Sequence, residues 1–157
     1  MRDRNTRSFT SQVRWAVFVL LWICFIWGHS LVQGVESSLE SGLIYQLTEP
    51  LFRALGIIDA AASTFIIRKL AHFSEYAVLG IGIRNLAVSI GSSRRGLVAA
   101  AWALGCLVPL CDETIQLYVP GRNGCLRDVL IDLVGFAAGA LLARAITSCG
   151  RRRVPVE

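Results

Sequence analysis

The uncharged run WAVFVLLWICFIW, Trp15 to Trp27, restricts this chain more than any other feature. Extended by Val13 and Leu31, it approaches the ~20 apolar residues needed to cross the hydrocarbon of a bilayer. Tryptophans stand near both of its ends, where interfacial anchors belong. A cleaved signal peptide is the competing reading, since MRDRNTRSFTSQVR makes a basic leader. No small-residue A-x-A site follows the apolar core, so an uncleaved anchor is expected.

Three further segments have membrane length: about Phe65 to Ile83, about Leu97 to Leu117, and about Asp128 to Thr147. Composition points the same way. Of 157 residues, 54% are hydrophobic and 17% charged, with a mean hydropathy of +0.56, on the membrane side of the usual soluble balance. The expected fold is all-α, an integral membrane bundle of four transmembrane helices. A basic N-terminus spans 1–12, the membrane domain 13–147 and a basic tail 148–157, with no internal repeat and no low-complexity tract.

A formal charge of +5 raises the question of nucleic acid. The arginines punctuate apolar runs and form no continuous basic face with interleaved aromatics, so nucleic acid is not an expected partner. They serve better as topology signals. With the amino terminus inside, inner segments hold Arg2, Arg4, Arg7, Arg14, Arg84, Arg94, Arg95, Arg144, Arg151, Arg152 and Arg153. Outer segments hold Arg53, Arg68, Lys69, Arg122 and Arg127. Eleven against five places both termini in the cytoplasm of a bacterial inner membrane. The tail GRRRVPVE then meets anionic lipid at the inner leaflet.

Between the first two spans, Leu43, Leu47, Leu51 and Leu55 recur every fourth residue, with Ile44 and Phe52 beside them. That period makes an amphipathic helix, either lying on the outer surface or packed onto the outer end of the bundle. Pro50 bends this helix or marks its start. The cysteines at 24, 106, 111, 125 and 149 contain no CxxC pair, so no zinc ribbon or thioredoxin-like motif is indicated. Cys111 and Cys125 fall on one side of the membrane, where a disulfide would need an oxidising compartment.

The stretch RKLAHFSEYAVLG places the most expensive residue types at the mouth of a span. On a helix Lys69, His72, Tyr76 and Leu79 share a face, with Glu75 beside it. The outer end of the third span brings Asp112, Glu113 and Gln116; Pro120-Gly121 breaks it before Arg122 and Arg127. The fourth span opens with Asp128 and Asp132. A charge facing lipid near the bilayer centre costs roughly 2.5–3.5 kcal/mol even on the lenient insertion scale, so these groups should turn inward and meet.

Arg68, Lys69, Arg122 and Arg127 nearly balance Glu75, Asp112, Glu113, Asp128 and Asp132, which suits a paired cluster lining a wet cleft. Such pairs either glue the bundle together or form a functional site. His72 is either hydrogen-bonded to a carboxylate or transfers a proton. A metal held by His72, Glu75 and Asp112 is chemically feasible. H-x-x-E is not a diagnostic spacing, however, and Arg68 and Lys69 oppose a cation, so neither metal nor cofactor is expected. Gly135-x-x-x-Gly139 with Ala143 reads as a close helix contact within the bundle, or else as a dimer seam.

RKLAHFSEYAVLG and DETIQLYVPGRNGCLRDVLIDLVGFAAG, in this order and spacing, are similar to the signatures of the VanZ-like family, small bacterial membrane proteins named for a teicoplanin-resistance factor. The resemblance runs from about Ser30 to Ala143. It implies Arg68, Lys69, His72, Glu75 and Tyr76 as site residues, together with Asp112, Glu113, Gln116, Arg122, Asp128 and Asp132. HSLVQGVESSLESG is weaker, because Gln33 is displaced from the usual Ser-Gln pairing, and Ser30 and Gln33 are not carried over. The family implies a role at the cell envelope and low-level resistance to lipid-tailed glycopeptides.

The functional expectation is an outward-facing cleft that binds, and in a stronger version modifies, the head group of an envelope lipid or lipid-linked glycan. Arg68, Lys69, Tyr76, Gln116, Arg122, Arg127, Asp128 and Asp132 would bind it, the arginines through forked hydrogen bonds to an anion. His72, Glu75, Asp112 and Glu113 would be the acid–base groups. There is no G-x-S-x-G elbow and no nucleotide loop, so binding without turnover fits equally, and enzyme status stays open. The alternative is a non-enzymatic membrane protein whose charges only stabilise the bundle. Oligomeric state is not legible.

Overall fold

Five helices follow one another, and no strand occurs among the described residues: α1 (Arg2–Ser30), α2 (Gly34–Ala54), α3 (Ala60–Ile90), α4 (Arg95–Gln116) and α5 (Leu126–Arg151). The structure, a computed structural model, describes residues 2–32, 34–122 and 124–151, with side chains for 9–32, 39–122 and 124–149. Gln33 and the tail beyond Arg151 lie outside the described residues.

The helix ends follow local chemistry. Asp59 caps α3 by accepting the Ala61 N–H at 3.0 Å, which satisfies one of the donors a helix start leaves orphaned. Gly91 stops α3 at φ 84°, and Gly121 turns the α4–α5 loop at φ 76°, both in the left-handed region that favours glycine. Within α4, Pro109 has no N–H to give the Gly105 carbonyl, so the ladder is interrupted one turn before Asp112 and Glu113.

α3 occupies the centre, packed on α5 most extensively and on α1, α4 and α2 as well. Its polar stripe explains the position, because a helix carrying Arg68, Lys69, His72 and Glu75 is stable at membrane depth only when other helices cover it. Val19, Ile23 and Ile26 of α1, Tyr76, Leu79 and Ile83 of α3, Val108 of α4 and Phe136 of α5 form the core. In lipid, apolar burial gives little drive for helix association, so close packing has to supply it. At Gly135 and Gly139 a Cβ would overlap the backbone of Phe73 and Ala77, and at Gly80 it would overlap that of Phe136. The small-residue stripe is thus a helix contact inside the bundle, and Ala143 is buried on the same helix.

Three helices are long and apolar enough to cross a membrane: Phe9–Ser30, Arg95–Gln116 and Leu126–Cys149. α3 is not among them, so three of the four expected spans are apolar enough to cross. With 31 residues it is the longest helix, about 46 Å at 1.5 Å per residue, and charge, not length, sets it apart. The outer faces of α1, α4 and α5 expose Val17, Leu20, Leu107, Leu130 and Val134.

α2 resolves the two readings of the intervening segment by combining them. It packs on α3 and buries Ser41 and Phe52, while Leu43, Leu47, Leu51 and Leu55 stay uncovered. Pro50 lies inside α2, near its C-terminal end, and neither starts the helix nor divides it. Cys111 and Cys125 are unbonded: Cys111 is exposed on the flank of α4, whereas the Cys125 backbone is tied to Glu113.

Candidate functional site

The end of α1, the first half of α3, the end of α4 and the start of α5 meet at one end of the bundle. Each brings polar residues that its apolar remainder could not leave in lipid. His72, Asp112, Glu113 and Asp132, from three helices and all buried, each place a ligand-type atom within 4.8 Å of the others. Asp112 and Asp132 are completely buried. The sequence stripes therefore converge as expected.

The carboxylates are held from behind. Gln116 Nε2 donates to Asp112 Oδ2 at 3.2 Å and stands 3.4 Å from Ser30 Oγ, while the Cys125 N–H donates to Glu113 Oε2 at 2.7 Å. The other oxygens, Asp112 Oδ1, Glu113 Oε1 and both of Asp132, have no hydrogen-bond partner, and neither do His72 Nδ1 and the Tyr76 hydroxyl. His72 Nδ1 lies 3.6 Å from Asp132 Oδ1, too far for a hydrogen bond. Buried polar atoms seldom stay unpaired without a reason.

Above this cluster opens a cleft of about 330 Å³ lined by Arg68, Lys69, His72, Gln116, Arg122, Arg127 and Asp128. Among the described contacts, Lys69 and Arg122 meet partners of different kinds there. Lys69 Nζ meets Asp128 Oδ2 at 2.6 Å and sits 5.0 Å from the centre of the Phe65 ring. Arg122 forks to backbone carbonyls, those of Val32 at 3.1 Å and His29 at 3.0 Å. Burial lowers the Arg122 pKa from its ordinary value and the neighbouring Arg68 adds to this, the direction expected for a cation kept from water with no carboxylate in contact. A guanidinium stays charged even so.

A family comparison fits this constellation: the VanZ/LLP1 model matches residues 15–147. The chain belongs to the VanZ/LLP1 family. Comparisons with curated proteins and with solved structures found no match. The VanZ/LLP1 match includes all twelve residues singled out from the sequence, from Arg68 to Asp132.

Glu75 goes elsewhere. Its carboxylate meets His29 Nδ1 at 2.9 Å, its backbone carbonyl accepts from Trp22 Nε1 at 2.8 Å, and Glu40 approaches His29 Nε2 at 3.5 Å. His29 escaped the sequence reading, because α1 was taken only as an anchor. The signal was its position, at the same end of the membrane as the acidic cluster. Ser30, set aside by the motif, is buried beside Gln116. A second cavity of about 370 Å³, lined by Leu43, Ile44, Ile67 and Ala71 with His29, Glu40 and Ser41, shares Arg68, His72 and Arg122 with the polar cleft of this VanZ/LLP1 protein.

Proposed function

We propose that this protein is a multi-pass bacterial inner-membrane protein, with both termini cytoplasmic and α3 as a fourth, enclosed span. Its outward-facing cleft binds the anionic head group of an envelope lipid or lipid-linked glycan. The observation that carries this reading is the adjacency of two unlike cavities whose walls share Arg68, His72 and Arg122. One is rimmed by cations and suits a phosphate; the other is walled by α2 leucine and isoleucine and suits hydrocarbon. An amphiphile fits both at once, whereas a free anion would use only the first.

Arg122 is pre-oriented by its two carbonyl contacts, and Arg127, on the rim, remains exposed. Lys69 and Asp128 close one wall as an ion pair. His72 forms the floor between anion and carboxylates, where a proton transfer would have to occur if the head group is altered. Altered envelope lipid chemistry would be the route to changed glycopeptide susceptibility.

The test is native mass spectrometry of protein purified from bacterial membrane, followed by titration with phosphatidylglycerol, undecaprenyl phosphate and inorganic phosphate. Wild type should retain a phospholipid or polyprenyl phosphate, and Arg122→Ala should lose it while still accumulating in the membrane. Equal retention by Arg122→Ala, or binding of inorganic phosphate as tight as that of the lipids, would overturn the reading. Lost accumulation across Arg122→Ala, Arg127→Ala and His72→Ala would favour charges that only hold the bundle.

A further inference from the structure

His72, Asp112, Glu113 and Asp132 have a geometry that neither hydrogen bonding nor ion pairing explains. Asp132 is fully buried, and neither of its oxygens has a donor. Asp112 and Glu113 are each held by one oxygen, through Gln116 and the Cys125 N–H, while the other oxygen is buried without a hydrogen-bond partner. Holding one carboxylate oxygen from behind while freeing the other is how proteins orient metal ligands.

Distances agree. With ligand bonds of about 2.0–2.2 Å, neighbouring ligand atoms around one first-row cation lie ~3 Å apart and opposite ones ~4.2 Å. The four atoms here lie within 4.8 Å of one another, so the widest pair must draw in by several tenths of an ångström around a six-coordinate ion and by ~1 Å or more around a tetrahedral one. The 3.6 Å between His72 Nδ1 and Asp132 Oδ1, too long for a hydrogen bond, is an ordinary separation for two ligands of one ion.

Charge makes the same demand. Three buried carboxylates this close repel one another and need something positive among them, either shared protons or a cation. Lys69 is neutralised by Asp128, whereas Arg68 and Arg122 stay nearby as positive charges, so three carboxylates must hold the ion against them. The donor set decides the class. An imidazole nitrogen favours first-row transition metals over Mg²⁺ and Ca²⁺, and the absence of thiolate from the set disfavours soft ions.

We infer that His72, Asp112, Glu113 and Asp132 bind a divalent transition-metal ion of the Mn²⁺ or Zn²⁺ class at the floor of the cleft. The site is complete without an occupant of the cleft above, so it stands whether or not a lipid head group binds there.

Full-length protein in detergent, stripped with chelator and reloaded with MnCl₂ or ZnCl₂, tests this by elemental analysis and Mn²⁺ EPR. Wild type should take up about one ion per chain, as a dedicated site does. Asp132→Asn should weaken uptake by about 100-fold or more, the loss being at least that seen for outer-shell partners. Glu49→Gln, whose carboxylate pairs with Arg53 on α2 away from the cluster, should bind as wild type does. No stoichiometric uptake by wild type, the result for shared protons, overturns the inference. So does undiminished uptake by Asp132→Asn, or an equal loss in Glu49→Gln. Should Asp132→Asn fail to fold, pulsed EPR of the wild type decides: bound Mn²⁺ must couple to an imidazole nitrogen, and a missing coupling overturns the site.

Discussion

His29 Nδ1 and Glu75 Oε1 meet at 2.9 Å, tying the last turn of α1 to the middle of α3. The contact stands beside the cleft, and Trp22 reinforces it from about two turns earlier by donating to the Glu75 carbonyl. His29→Ala should therefore cost about 1–3 kcal/mol, because it strands the largely buried Glu75 carboxylate without its partner. His29→Gln, which keeps a donor, should lose less. Thermal unfolding of the two variants in one detergent gives the comparison, and equal losses would mean that packing, not the hydrogen bond, is what His29 supplies.

The α3–α5 contact makes a sharper prediction. A side chain at Gly139 would overlap the Ala77 backbone, which cannot rotate away. Gly139→Leu should cost at least the ~3 kcal/mol upper end of overpacking and reduce accumulation in the membrane. Leucine at Gly28, whose Cβ position meets nothing within 4 Å, should be tolerated. Immunoblots of membrane fractions read out both, and the difference between them is the measure of how closely α3 and α5 must approach.

The contrast between these sites shows what the sequence could display. Apolar runs announced α1, α4 and α5, and the energetic cost of charge in lipid announced that Asp112, Glu113, Asp132 and His72 would meet. Rotation about α3 was not legible. His72 and Glu75 differ by three residues, about 60° around a helix, which sets Glu75 just beside the His72 face. On a helix covered by four others, that angle is enough to send His72 to α4 and α5 and Glu75 to α1. Apolar length alone also gives no measure of enclosure, so it could not show that α3 is covered while α1, α4 and α5 expose apolar faces.

Arg122 offers a test of geometry against charge. Its guanidinium forks between the carbonyls of His29 and Val32, fixing the α4–α5 loop against the end of α1. Lysine keeps the charge and loses the fork. Arg122→Lys should leave accumulation intact and weaken retention of an anionic lipid by about tenfold, the equivalent of ~1.4 kcal/mol. Lipid titration followed by native mass spectrometry measures this. Unchanged retention would mean that charge alone suffices at this position.

Lys69 and Asp128 separate stability from binding. Their ion pair, 2.6 Å long and mostly buried, fastens the first turn of α5 to α3. Breaking a buried pair from one side is expensive, roughly 3–5 kcal/mol, because the remaining charge is left uncompensated; replacing both partners with apolar residues of similar size is often neutral. Lys69→Ala and Asp128→Ala should each unfold more readily than wild type, and the double variant Lys69→Met with Asp128→Leu should recover most of the loss. If Lys69 also faces the head group, that recovered variant will still bind anionic lipid less well than wild type, and the deficit should shrink as salt is raised. A double variant that regains both stability and lipid retention would assign this pair to the scaffold and leave Arg68, Arg122 and Arg127 as the cations that face the ligand.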